Sequence, residues 1–162
     1  MEEMKEMVYY PTRLEKPILL LDTYIDEYRI LIYNLGTHPC GYVGVPINHP
    51  LAGFDYEDLP IECHGGLTFS EKGDGKYFPE EYWWYGWDYA HWGDYVSGTS
   101  SEYNKKWTTQ EIFEEAKYVV SQMKFLNEFI LKLFDPSFLK FLYKFFEIEV
   151  LPVLKIKFSV SK

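Results

Sequence analysis

The sequence predicts an α+β fold in which a small antiparallel sheet is packed by one long helix. Three observations support this prediction. Short β-branched or alternating runs separated by glycine and proline fill residues 18–95. A stretch with helical periodicity follows at about residues 109–134. The strands precede the helices instead of alternating with them, which is typical of the α+β class.

The predicted strands are short and joined as hairpins. Apolar residues recur with a period of two or in short continuous runs, as expected for half-buried or buried strands. Turn-forming glycines and prolines separate these runs. The segments are residues 18–21, 28–35, 41–45, 66–69 and 82–88.

Two helices are predicted after residue 107. Thr108 and Glu111 have the spacing of a capping box, and apolar residues recur at helical intervals after them. Pro136 ends this helix, and Ser137 is placed to cap a second, shorter one. Residues 154–160 then alternate in the manner of a strand with one buried face.

The length of 162 residues fits one compact domain with little room for a second. We assign the domain to residues 1–126. Residues 127–162 are predicted to be a C-terminal helix-strand extension that packs on the domain or forms the face of a homo-oligomer.

Negative charge is concentrated in the middle of the chain. The net charge is −9, and residues 36–98 carry 10 acidic and 2 basic side chains together with all 11 glycines and all 4 histidines. Such a segment repels a phosphate backbone, which argues against non-specific nucleic-acid binding. It attracts cations or a basic partner, although most of the charge has a simpler explanation in solubility.

The sequence favours a cytosolic protein without a transmembrane segment. Charged residues interrupt the apolar C-terminal region before it reaches the roughly 18 residues of a spanning helix. The N-terminus is acidic where a secretory signal is basic. Two cysteines, Cys40 and Cys63, cannot form a disulfide framework and suit a reducing compartment.

Candidate functional residues lie at the ends of two predicted strands. If these strands are neighbours, His64, Asp88, His91 and Asp94 converge at one end of the sheet. Two imidazoles and two carboxylates are a ligand set for a divalent metal ion, the candidate cofactor. A carboxylate beside an imidazole also suits general acid–base chemistry, for which His64, Asp88 and His91 are the catalytic candidates. Each residue also has a structural alternative, because such side chains often cap turns or bond to backbone carbonyls.

Glycines and tryptophans in the same segments suggest a ligand-binding surface. Gly65 and Gly66 allow close approach of a ligand to the backbone and present amide hydrogens to an anion. Trp83, Trp84, Trp87 and Trp92 offer flat walls on which a base or sugar could stack. Cys63 is next to His64, which suggests a thiol nucleophile activated by the imidazole. This is disfavoured, because adjacent residues of a strand point to opposite faces.

Four segments together resemble a widespread family of small uncharacterised proteins of phages and mobile elements: residues 40–46, 49–51, 64–69 and 84–94. The family pattern reads approximately GYVGVP, HPL, HGGLTF and W-x-x-G-F-D-x-A-H-x-G-D, and the resemblance covers about residues 28–124. Trp87 replaces the usual phenylalanine. The resemblance implies an accessory protein of a phage or mobile element that antagonises host defence in the host cytosol.

Two functions follow as hypotheses. The first is a non-catalytic binding protein that captures a small polar, nucleotide-like signal or a host defence protein. The second is a divalent-metal-dependent hydrolase. Some side chains of the His/Asp cluster would be metal ligands, and another would be the general base that activates a bound water.

Overall fold

The computed structural model describes residues 3–146 and confirms the α+β class. Antiparallel pairing joins all five strands into one sheet with the order β1-β2-β3-β5-β4. The strands are β1 (Ile18–Ile25), β2 (Tyr28–Asn34), β3 (Pro39–Pro46), β4 (Phe69–Lys72) and β5 (Tyr82–Asp88). Two helices follow in the chain, α1 (Thr109–Leu133) and α2 (Pro136–Phe146).

The chain divides into two compact units between Met123 and Lys124, three residues before the predicted domain limit. The sheet and the first part of α1 belong to the first unit, and α2 belongs to the second. The candidate functional residues all lie in the first unit. The strand predicted for residues 154–160 lies outside the described residues.

Both faces of the sheet carry buried side chains, because residues on each strand alternate between them. Helix α1 packs against the sheet through apolar residues at helical spacing: Ile112, Ala116, Val119, Val120 and Met123. The opposite face has a core of Leu31, Tyr33 and Trp84. We call this the aromatic face, because partly buried rings surround that core: Tyr42, Phe69, Tyr77, Phe78 and Tyr82.

The N-terminal segment has no regular structure but is fixed by backbone hydrogen bonds. The amide of Tyr10 donates to the carbonyl of Gly36, and that of Leu14 donates to the carbonyl of Leu35. The side chain of Asn34 donates to the carbonyl of Val8. These bonds position Arg13 at the edge of the aromatic face.

The structure corrects two local predictions. The strand predicted at residues 66–69 begins only at Phe69, because Gly65 and Gly66 both have positive φ and form a turn closed by the Gly66 amide. Helix α2 begins at Pro136, and the side chain of Asp135, not Ser137, accepts the hydrogen bond that caps it. None of the described helices is long and apolar enough to cross a membrane.

Candidate functional site

His64 and Asp94 form a close pair at one end of the sheet. The Nε2 of His64 lies 2.7 Å from Oδ2 of Asp94, and the Asp94 side chain is only 3% exposed. An ionised carboxylate only accepts hydrogen bonds, so Nε2 of His64 carries the proton. The ring of His64 stacks on that of Tyr89 with their centroids 4.7 Å apart. This geometry fixes the imidazole in one orientation.

Asp94 also joins three segments of the chain. Its carboxylate accepts from the backbone amide of His91 at 2.9 Å and from Nε1 of Trp107 at 2.8 Å, in addition to His64. Burial acts to raise the pKa of Asp94, but the three hydrogen bonds outweigh it and hold the pKa below its usual value. Asp94 is therefore ionised at neutral pH and accepts three hydrogen bonds within the chain.

His91 and Asp88 form a second, looser pair beside the first. The Nε2 of His91 lies 3.6 Å from Oδ1 of Asp88, which is too long for a hydrogen bond. This nitrogen is buried and has no hydrogen-bond partner among residues 3–146. Gly65 lies directly against the ring, since a Cβ at that position would come within 1.8 Å of Nε2 of His91. The ring centroids of His64 and His91 are 5.5 Å apart.

The structure therefore brings His64, Asp88, His91 and Asp94 together, but as two imidazole–carboxylate pairs. Residues 3–146 contain no group of three or more His, Cys, Asp or Glu side chains placed to hold a metal ion. Each carboxylate is also used by the backbone, with the amide of Ala90 donating to Asp88 and that of His91 donating to Asp94. The geometry thus gives the predicted metal site no support and matches the structural roles of these side chains.

Two of the four tryptophans proposed as stacking walls, Trp84 and Trp87, are core residues, whereas Trp92 is fully exposed. Trp84 has no exposed surface, lies in the core of the aromatic face and donates through Nε1 to the carbonyl of Pro79. Trp87 is 1% exposed and donates to the hydroxyl of Tyr89. The three-residue separation of Trp84 and Trp87 places them on opposite faces of the sheet. The ring of Trp84 therefore offers no surface to a ligand, which corrects its predicted role.

A cavity of about 320 Å³ lies on the aromatic face beside Asp88. Its volume is at the lower end of the range of about 300–1,000 Å³ that is usual for small-molecule sites. Its polar lining residues are Arg13, His38, Cys40, Thr68 and Asp88. Tyr42 and Phe69 supply aromatic walls. Trp87 and Asp88 are the sequence-predicted site residues in its lining, but the Trp87 ring points to the opposite face of the sheet. We call it the Asp88 cavity.

The titratable groups of the Asp88 cavity differ in charge. Burial lowers the pKa of His38, so its imidazole is neutral near pH 7. Burial raises the pKa of Cys40 to about 12, so its thiol stays protonated. Arg13 is exposed and has no hydrogen bond or ion pair within the part of the chain that the structure describes. The cavity therefore presents one unpaired cation and one carboxylate.

The carboxylate of Asp88 is only partly used. Its Oδ1 accepts from the amide of Ala90 at 3.0 Å, while Oδ2 receives a long contact of 3.4 Å from the Thr68 hydroxyl. The side chain is 28% exposed. Oδ2 can therefore accept a hydrogen bond from an N–H or O–H group of a bound molecule.

Sequence reasoning missed Arg13, His38 and Thr68 as site residues. Arg13 lies in a segment without periodic pattern, and backbone hydrogen bonds to β2 determine its place. His38 and Thr68 come directly before the first residues of β3 and β4. Both strands pair with β5 in the antiparallel sense, so these positions lie next to Asp88 at the end of β5 and could have been found from the sequence.

Fold and site together define an α+β protein with a small, aromatic-walled, polar-lined cavity on one face of a five-stranded sheet. Comparison with protein-family models, with curated proteins and with solved structures finds no match for this chain. The resemblance to the phage and mobile-element family stays a prediction.

Proposed function

We propose that this chain is a non-catalytic accessory protein of a phage or mobile element that captures a small, nucleotide-like signal and so antagonises host defence. The observation that carries the binding role is the Asp88 cavity, which combines aromatic walls with an unpaired guanidinium and an available carboxylate oxygen. The phage and host-defence setting rests on the motif resemblance alone.

The lining of this cavity suits a nucleotide better than an apolar ligand. Aromatic side chains bind bases and sugars, and binding to such rings is tolerant of base identity. A guanidinium favours phosphate, and a carboxylate accepts from an exocyclic amine. Arg13, Asp88 and the ring of Phe69 provide these three interactions.

A non-catalytic role is favoured by the state of the two thiols of the chain, of which Cys40 lines the Asp88 cavity. The pKa of Cys40 and that of Cys63 are each raised to about 12 by burial, so neither thiol is an activated nucleophile. The hydrogen bonds of His64 and Asp94 are made within the chain and hold loops together.

Isothermal titration calorimetry of the whole chain tests the proposal against adenosine, AMP, cyclic nucleotides and ADP-ribose. Binding of at least one of them is expected, and Asp88→Asn should weaken it about tenfold or more because a charge-assisted hydrogen bond is lost. Glu102→Gln, an exposed carboxylate outside the cavity, is the matched control. If none of these compounds gives a heat of binding, capture of a nucleotide is excluded. If chromatography of the mixtures shows that a compound is converted to a product, the non-catalytic role is excluded.

Capture of a host protein is a second candidate, favoured by two fully exposed aromatic side chains. Trp92 and Tyr103 lie on the surface of the loop region after β5, and these residue types dominate binding hot spots. Co-purification from infected cells is the test. A specific partner should be retained by the natural chain and lost with Trp92→Ala; equal retention by both chains would contradict this candidate.

A further inference from the structure

A second cavity adjoins the Asp88 cavity on the aromatic face. Its volume is about 310 Å³, and it shares three lining residues with the first: Arg13, Leu35 and Tyr42. It is otherwise lined by the N-terminal segment and by the rings of Tyr33, Tyr77 and Phe78. We call it the Tyr77 cavity. Arg13 is the cationic side chain common to both linings.

We propose that the two cavities form one groove for a nucleotide whose two ring-bearing units are joined through phosphate, with the phosphate at Arg13. This inference rests on the proposed function and extends it from a nucleotide in general to a phosphate-linked pair of units. Each cavity alone is near the lower limit for a small-molecule site, so each accommodates one unit of such a molecule.

The centre of the groove is suited to a phosphate because Arg13 is uncommitted. The chain has two arginines, and the other, Arg29, also lies on the aromatic face. Arg29 donates to both carboxylate oxygens of Asp22, at 2.9 and 2.8 Å. Arg13 has no such carboxylate partner among the described residues, so its planar donors are available for bidentate contact with phosphate oxygens.

The two ends of the groove differ in chemistry. The Asp88 end has a carboxylate, the Thr68 hydroxyl and the neutral imidazole of His38, which can read the hydrogen-bonding edge of a base. The Tyr77 end is predominantly aromatic, and Glu15 is its carboxylate. A ring stacked there is held through its face, which makes this end tolerant of ring identity.

The wall of the Tyr77 cavity is preformed. Asp74 accepts hydrogen bonds from the backbone amides of Lys76, Tyr77 and Phe78, at 2.8, 3.0 and 3.0 Å. The Tyr33 hydroxyl donates to the carbonyl of Tyr77 at 2.5 Å. Because bonds within the chain itself fix this loop, little ordering entropy is lost when a ring binds.

Calorimetry with three probes, AMP, cyclic di-AMP and ADP-ribose, tests the groove. We expect at least one of the two phosphate-linked probes to bind at least tenfold more tightly than AMP. Arg13→Gln should reduce that binding at least tenfold, with Lys16→Gln as the matched control, because Lys16 is exposed and lines neither cavity. Tyr77→Leu should weaken the linked probe severalfold and leave AMP unchanged. Circular dichroism verifies that each variant folds.

Two results would overturn the inference, and they differ in what they say about the proposed function. If AMP binds as tightly as both linked probes and Arg13→Gln changes neither affinity, the two-cavity groove is wrong while nucleotide capture in the Asp88 cavity stands. If none of the three probes binds, both the groove and nucleotide capture are wrong.

Discussion

The Nε2 of His64 and Oδ2 of Asp94 meet at 2.7 Å although the residues are 30 positions apart in the chain. The backbone amide of His64 also donates to Glu115 on α1 at 2.8 Å. Through these two bonds His64 connects the Gly65–Gly66 turn to the loop after β5 and to the helix. The pair therefore helps to hold the end of the sheet that carries Asp88.

Removal of the Asp94 carboxylate should destabilise the fold. Asp94→Ala leaves the part-buried donors of His64, His91 and Trp107 without their acceptor, and a hydrogen bond to a charged group contributes about 1.5–3 kcal/mol. We expect the free energy of unfolding to fall by about 3 kcal/mol or more in urea titration. Asp94→Asn keeps one acceptor oxygen and should lose less. A change within about 0.5 kcal/mol for Asp94→Ala, the range of neutral surface substitutions, would contradict this role.

Asp94 should also make stability depend on acid pH. Its pKa is depressed in the folded chain, so its contribution is complete above the unfolded pKa of about 3.9 and is lost as the pH falls through the folded value. The stability difference between the natural chain and Asp94→Asn should therefore stay constant from pH 6 to about pH 5 and shrink as the pH falls from there to pH 3. Urea titrations at half-unit pH intervals measure it. A difference that stays constant over this range would show that the carboxylate is not the stabilising group.

Gly65 and Gly66 allow a matched test of the contact with His91. Both have positive φ, +68° and +82°, so alanine at either position should cost about 1–2 kcal/mol of backbone strain. Only at Gly65 would the added Cβ collide with the imidazole of His91, whereas at Gly66 it meets nothing within 4 Å. Gly65→Ala should therefore destabilise the chain more than Gly66→Ala and shift the NMR resonances of the His91 ring. Equal losses of stability with an unchanged His91 spectrum would refute the contact.

Local sequence signals predicted the regular elements because those signals act over a few residues. Thr108 and Glu111 form the predicted capping box, with the Thr108 amide donating to Glu111 at 2.9 Å and the Glu111 amide donating to Thr108 at 3.2 Å. Helix α1 accordingly spans Thr109–Leu133, close to the predicted 109–134. Strand β5 has the predicted bounds.

The candidate site was less accessible to sequence reasoning, because long-range contacts determine it. The convergence of His64 with Asp94 followed from expecting their strands to be neighbours. Arg13 could not be placed, because backbone hydrogen bonds in an irregular segment fix its position. The burial of Trp84 could not be predicted, because composition does not reveal that both faces of the sheet are covered.

The two cysteines should be almost inert in the folded chain. Burial raises the pKa of Cys63 to about 12, and the negative charge of Glu115 raises it in the same direction. Burial also raises the pKa of Cys40 to about 12. Because the thiolate is the reactive species, we expect both to react with Ellman's reagent at pH 8 at less than about one hundredth of the rate of free cysteine. Unfolding in guanidinium should release two rapidly reacting thiols, and Cys63→Ser assigns them individually. Fast labelling of Cys63 in the native chain would contradict its protonated state and would restore it, beside His64, as a candidate nucleophile.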